Sequence, residues 1–540
     1  FQRVIECLDI LHFAELISMR NSHEKMMMIG KVRDPLHDII SITPQEKIII
    51  ASPEFQRLRR ITQTSFIKYV FPGATHTRFE HSLGVMHVAG LMLGALTNNQ
   101  IRLLAELSDA KEKSPQKAVL KLEEHEKIYG SLQETLPLLH ELQENRYLFQ
   151  CLRFAALLHD IGHGPFSHSG ERFMVSWNTF KTELSELKIP QWLKEAFLKK
   201  IAKLSLSANP HLAQQPIRHE IYTLMCIAKL FQSKSDELLS ENMGRDICAI
   251  LDTNVVPAEG SVLDKLNLAT LFHEIVSGEI DADRMDYLLR DSRQCGVVYG
   301  FFDLGRILDS IAFYKSPEDH SFHLAIRRSG VSAFEDFLKA RWSMYQQVYF
   351  HKTATACEAM LEQAHKYFNN MRLPLNLQDY FEWDDHSFLS RICSTQQEVN
   401  EGYAKKILED LILKRNLWKR VYEENIPITS LSGPSLCRAI TGYLKSCDVP
   451  CELIESSTNL TRFLPKGRNT ASHNKFKVIV KDVHFLKFLE PIENHSKLIN
   501  RLDEETVIKR IFVSNYKTDG AVIDQKNIRQ MIAEEIINPN

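Results

Sequence analysis

Residues 159–168 read His159-Asp160-Ile161-Gly162-His163-Gly164-Pro165-Phe166-Ser167-His168, three histidines and an aspartate within ten positions. The apolar pattern over 146–160 predicts a helix, stopped by Gly162 and by Gly164-Pro165. A divalent metal needs nitrogen and oxygen ligands converging from several directions, with a position left open for chemistry. Adjacent His159 and Asp160 can both reach one ion only where the backbone turns, and the following glycines permit that turn.

Three further segments could complete such a site. Arg78-Phe79-Glu80-His81 precedes Leu83, Val85, Val88, Leu91 and Leu93, a spacing that predicts a helix opening at His81. Asp283, Tyr287 and Asp291 stand at i, i+4 and i+8, on one helical face. Arg341, Tyr345 and Tyr349 repeat that spacing. Together these groups suit metal-assisted hydrolysis of a phosphate ester. Arg78, Arg284, Arg341 and His163 supply positive charge or hydrogen bonds, and His168 or His219 supplies a proton to the departing oxygen.

Composition narrows the class. The chain has 540 residues, 66 Lys+Arg and 68 Asp+Glu, a formal charge of −2. This excludes a polycationic nucleic-acid coat. A 44% hydrophobic share is that of a globular protein. Only 21 glycines argue against a turn-rich β-sandwich and for a mainly α fold. The ten cysteines are scattered and read as free thiols in the cytoplasm. The charges spread through the sequence predict no membrane span.

Along the chain, 1–30 read as an amphipathic helical extension. Short β-like pieces are expected at 39–42 and 47–50, then a helix around 53–64. Residues 108–146 and 176–218 read as surface inserts between helices. Helices are expected to dominate to about 425, including 263–294 and 330–372. Strands at 475–480 and 507–514 mark a smaller C-terminal lobe of mixed α/β type over 430–540.

The series VRDPLHDII (32–40), FQRLRRITQ (55–63), FPGATHTRFEHSLG (71–84), HDIGHGPFSH (159–168), EIVSGEIDADRMDYLLRD (274–291) and YFHK (349–352) resembles the HD-domain deoxynucleoside triphosphate triphosphohydrolases. The likeness spans roughly 31–372, which it identifies as an HD phosphohydrolase core followed by a helical connector at 373–429. The resemblance implies metal ligands His81, His159, Asp160 and Asp283, and catalytic histidines His163, His168 and His219. It implies triphosphate contacts at Arg78, Arg284 and Arg341, and sugar-side contacts at Gln63, Tyr287, Asp291 and Tyr349, with Tyr349 excluding a 2′-hydroxyl. Tyr345 stands where the family has histidine. The implied reaction converts a dNTP to deoxynucleoside and inorganic triphosphate. The ion could be iron, manganese, zinc or magnesium, with magnesium accompanying the substrate phosphates. A homo-oligomer, dimer or tetramer, is also implied, with nucleic acid not the main ligand. Ala51, Ser329 and Ala333 depart from the animal enzymes' effector positions, so nucleotide activation is not implied. Two other readings remain open: an HD phosphohydrolase for another nucleotide, such as a monophosphate or alarmone, and a catalytically silent nucleotide or single-stranded nucleic-acid sensor.

Overall fold

Helix α1 (Arg78–Lys113) is the central rod, burying Leu83, Val85, Met86, Val88, Ala89 and Met92 against its neighbours. It packs on α2 (Arg146–Leu158) and, farther along the chain, on α4 (Ala282–Cys295). By length and composition its Arg78–Arg102 portion could cross a membrane, but 67% of that apolar window is buried inside the protein. The apolar sequence therefore serves a core helix. Helix α3 (His219–Ser233) lies between α2 and α4 in sequence, and α5 (Val331–Met344) and α6 (Lys352–Tyr367) follow α4. The computed structural model describes residues 30–113, 138–143, 145–205, 213–233, 241–367, 372–394, 399–427, 436–457, 476–479, 489–496, 498, 506–517 and 519–537. The extension expected over 1–30 lies outside them apart from Gly30, as do residues 114–137 of the first expected insert.

Among the described residues, three small sheets accompany the helices. Strands β1 (Gly30–Asp34) and β2 (Asp38–Ile42) form an antiparallel hairpin. The antiparallel pair β3 (Ile311–Lys315) and β4 (Phe322–Arg327) continues into β7 (Lys477–Ile479) and β8 (Leu489–Pro491), β7 running parallel to β4. Strands β5 (Lys419–Pro427), β6 (Cys451–Ser456) and β9 (Thr506–Val513) make the third sheet, with β9 central. A small separate core around Ile440, Leu444, Ile511, Val513 and Ile528 backs that sheet. The architecture is mainly α with a smaller C-terminal α/β portion.

Local expectations fail in two places. Residues 47–50 belong to the helix Pro44–Ile50, because Thr43 and Glu46 form a reciprocal capping box that outweighs the strand preference of the isoleucines. The helix expected around 53–64 is only Pro53–Gln56, continued by a tight 3₁₀ turn at Arg57–Arg60. Helices dominate to about 425 as expected, although β3, β4 and β5 intervene. The Ile, Phe and Tyr of β3 and β4 favour strand, but their connection lacks an Asn-Gly or Asp-Gly signal and turns instead at His320, with φ 59°.

Candidate active site

The end of α2, the start of α1 and the start of α4 meet at one point. Asn145 caps α2 by accepting from the amides of Tyr147 and Leu148, and the helix runs out at Leu158. There His159 Nδ1 donates to Ala156 O at 2.8 Å, which leaves Nε2 turned away from the helix. On α1, His81 Nδ1 donates to Asp286 Oδ2 at 2.8 Å, again leaving Nε2. Asp281 caps α4 by accepting from Arg284 N at 2.7 Å, and this sets Asp283 in the first turn.

Four ligand atoms converge. Asp283 Oδ1 is 3.1 Å from His81 Nε2 and 3.6 Å from His159 Nε2. Asp160 Oδ2 is 3.6 and 3.3 Å from the same two nitrogens. Both Nε2 atoms are buried and make no hydrogen bond. Two orphaned imidazole nitrogens facing two carboxylates form a donor set that could hold a divalent cation, and His81, His159 and Asp160 have the spacing of such a site. Burial would raise the Asp160 carboxyl, but Arg78 and the neighbouring imidazoles hold it well below the usual carboxylate range. Arg78 bonds Asp160 and donates to Ser167 Oγ at 3.0 Å.

The other Asp160 oxygen faces a second group of imidazoles. Oδ1 is 3.3 Å from His163 Nε2 and 3.8 Å from His219 Nε2, and the two rings stack with centroids 3.6 Å apart. Their charge states differ for physical reasons. His163 is fully buried and faces Arg78 and His219, so its imidazole sits well below its ordinary value. Burial also pushes His219 down, but Glu220 and Glu171 outweigh it and raise the ring. Glu171 Oε1 accepts from His219 Nδ1 at 2.5 Å and lies 3.3 Å from His168 Nδ1. One carboxylate thus orients both histidines.

Above these groups opens a cavity of about 460 Å³. Its wall includes Gln63, Arg78, His159, Asp160, His168, His219, Asp283, Tyr287, Asp291, Tyr345 and Tyr349. The predicted helical face is real: Asp283, Tyr287 and Asp291 line it together. Tyr345–Tyr349 is a π-helical turn between α5 and α6, closed by Phe350 N donating to Tyr345 O at 2.9 Å. It points Tyr349 OH at Asp291 Oδ2, 2.6 Å away. Gln63 reaches the cavity with a buried Oε1 that no described residue binds. His81 and His163 sit beneath the wall.

Two predicted contacts are placed otherwise. Arg284 is buried and donates to Glu279 O at 3.1 Å, beside Asp281, and does not line the cavity. Arg341 is also outside the lining, with its guanidinium 5.6 Å over the Tyr345 ring. Glu171, Asp286, His76 and Asp385 carry structural duties at the site that sequence reasoning missed. Asp286 lies three residues from Asp283, and its helical spacing was the available signal. Glu171, three residues after His168, offered the same kind of hint.

Two family profiles match the chain: the HD domain over residues 132–228 and the HD associated region over residues 302–431. Residues 132–228 thus carry the match to an HD domain. An uncharacterized protein of Methanocaldococcus jannaschii is 30% identical over 391 residues, which is 72% of this chain and 59% of that protein. The human deoxynucleoside triphosphate triphosphohydrolase SAMHD1 is 28% identical over 463 residues, covering 78% of this chain and 61% of the relative. The chain therefore spans about three-fifths of the length of these curated relatives. Among solved structures, a phosphohydrolase from Bacteroides thetaiotaomicron superposes with a TM-score of 0.54 at 22% identity, over 90% of this chain and 99% of that one. That last likeness is one of fold. The His159-Asp160 pair falls inside the matched HD segment, whereas His81 and Asp283 are brought to it by α1 and α4.

Proposed function

We propose that the protein is a metal-dependent phosphohydrolase that converts deoxynucleoside triphosphates to deoxynucleosides and inorganic triphosphate. The observation that carries this reading is the convergence of His81, His159, Asp160 and Asp283 under a cavity walled by Arg78 and imidazoles. The printed activity of SAMHD1 supports the choice of substrate. A divalent ion held by these four residues would polarise a phosphoryl oxygen and make water a competent nucleophile at neutral pH. Iron, manganese, zinc and magnesium all suit the donor set.

The protein's own groups divide the remaining work. Arg78, fixed by Asp160 and Ser167, holds positive charge against the phosphates. His163, kept neutral by burial, offers a hydrogen bond without adding charge. His219, braced by Glu171, keeps a proton for the oxygen that leaves the α-phosphorus, a contribution of about 10²–10⁴-fold. His168 is exposed at the cavity rim and shares Glu171. Tyr349, held by Asp291, narrows the sugar end. Free cysteines among the described residues support a reducing compartment, and exposed Val298, Phe301 and Trp342 support association of copies.

One observation favours a second reading, a nucleotide with fewer phosphates: among the described residues, Arg78 is the only arginine on the cavity wall. Incubating the manganese-loaded protein with each dNTP, each NTP and each monophosphate, singly and in mixtures, separates the two. Tripolyphosphate from dNTPs supports the first; turnover of monophosphates alone supports the second.

A further inference from the structure

Behind the metal ligands lies a buried polar relay that reaches the N-terminal hairpin. Asp286 accepts from His81 Nδ1 at 2.8 Å on one oxygen and meets His37 Nε2 at 2.6 Å on the other. Arg290, one turn farther along α4, donates Nε and Nη2 to the two Asp286 oxygens at 2.8 and 2.9 Å. Its Nη1 donates to Asp34 Oδ2 at 2.9 Å. Asp34 Oδ1 in turn accepts the amides of Leu36 and His37, each at 2.8 Å, and so shapes the β1–β2 turn that presents His37. The side chains of His37, Asp286, Arg290 and Asp34 are 5%, 0%, 1% and 4% exposed.

The packing leaves this relay no slack. Gly84 follows His81 by three residues on α1, and a Cβ there would collide with Asp286 Oδ1 and Arg290 Nη2. Every oxygen of Asp286 is committed, so its position is set from two sides: by Arg290 on its own helix and by His37 from the hairpin.

We propose that the β1–β2 hairpin sets the metal affinity of the site, with Asp34 and His37 acting as positioning residues through Asp286 on His81. This rests on the metal-centre reading above. The physical reason is that a ligating imidazole binds well only in one tautomer and orientation, and both are dictated by the partner of its other nitrogen. Asp286 fixes Nδ1–H and leaves the Nε2 lone pair toward the ion. His37 and Asp34 deny Asp286 the freedom to turn away. Loss of such a partner typically weakens metal affinity by about 10–100-fold.

The test uses Mn²⁺ affinity, measured by chelator competition on the full chain and normalised to the folded fraction from circular dichroism. His37→Gln and Asp34→Asn are each expected to weaken Mn²⁺ binding by about 10-fold or more. Lys31→Ala, exposed on the same hairpin, is expected to bind as wild type. Asp286→Asn should lose as much or more, and adding His37→Gln to it should cost little further, because His37 acts through Asp286. A general loosening of the fold would instead give additive losses. Mn²⁺ affinity within twofold of wild type in His37→Gln and Asp34→Asn overturns the proposal, as does full additivity with Asp286→Asn. If Asp286→Asn fails to fold, the comparison of His37→Gln with Lys31→Ala decides alone. His159→Ala separates the underlying reading: if it too binds Mn²⁺ as wild type, the metal centre itself is misassigned.

Discussion

Asp385 Oδ1 accepts the backbone N–H of Phe166 at 2.7 Å, and its Oδ2 accepts the amide and hydroxyl of Thr62 at 3.0 and 2.8 Å. A residue far along the chain thereby ties the histidine loop to the strand-like segment bearing Gln63. Phe166 and Ser167 have φ of 58° and 54°, a left-handed conformation that costs non-glycine residues about 1–2 kcal/mol each. Ser167 Oγ donating to Thr62 O at 2.6 Å, Tyr380 OH to Gly162 O at 2.6 Å and Arg57 Nη2 to His163 O at 2.7 Å add to the hold. Asp385→Ala is expected to cost about 1–3 kcal/mol of stability by orphaning buried donors. It should also lower turnover by more than about 10-fold, the size of a modest misplacement of catalytic groups, with bound metal unchanged. Steady-state kinetics alongside metal analysis checks this; unchanged turnover would remove the latch from the account.

Gly162 is a close-approach position. A Cβ there would run into the backbone of His219 and Thr223, which cannot yield as a side-chain tip can. Gly162→Ala should therefore destabilise the protein by about 1–3 kcal/mol, whereas Gly402→Ala, in a helix with open space at its Cβ, should stabilise it by up to about 1 kcal/mol. Paired urea melts give both signs in one experiment.

His87 imposes a pH dependence on folding. Burial, then the neighbouring His37 and Arg153, holds its imidazole down at about 4, against an ordinary value of 6.5. Between those values the unfolded chain binds a proton that the folded chain does not, so stability rises with pH across that window. The contribution is fully present above about pH 6.5 and is lost on acidification toward pH 4, a change on the order of 3 kcal/mol. His87→Leu should flatten the slope between pH 4 and 6.5 in denaturation curves. An equally steep slope in that variant would assign the effect elsewhere.

Tyr349 lines the cavity, its ring 5.0 Å from Tyr345 and its hydroxyl on Asp291, and sugar exclusion is its role in the proposed function. Asp291 is also braced by His76 Nε2 at 2.6 Å. Tyr349→Ala is expected to reduce the preference for dATP over ATP by about 10-fold or more in kcat/KM, the scale of one lost steric exclusion. A preserved ratio would take Tyr349 out of sugar selection.

Much of the site was legible because its chemistry is local. The decad at 159–168 marks candidate metal ligands by density, and the i, i+4, i+8 spacing of Asp283, Tyr287 and Asp291 places them on one face without any structure. The mainly α fold followed from glycine scarcity and long apolar periodicities. What escaped was long-range. No periodicity says that His37 meets Asp286 or that Asp385 meets Phe166, because these pairs are 249 and 219 residues apart. The direction of Arg284 also escaped: helical spacing fixes a face, but Glu279 and Asp281 at the cap draw the guanidinium toward themselves. The strand preference of residues 47–50 misled because a capping box, read one residue at a time, is easily passed over.

In the proposed reaction, water attacks the α-phosphorus of a dNTP at the His81, His159, Asp160 and Asp283 centre. The most direct measurement is turnover of dNTPs by the manganese-loaded protein in water enriched in oxygen-18, with mass analysis of every product. One labelled oxygen is expected in tripolyphosphate, none in the deoxynucleoside, and no turnover in His159→Ala. Release of deoxynucleoside monophosphate with pyrophosphate, label in the deoxynucleoside, or full activity in His159→Ala would contradict that reaction.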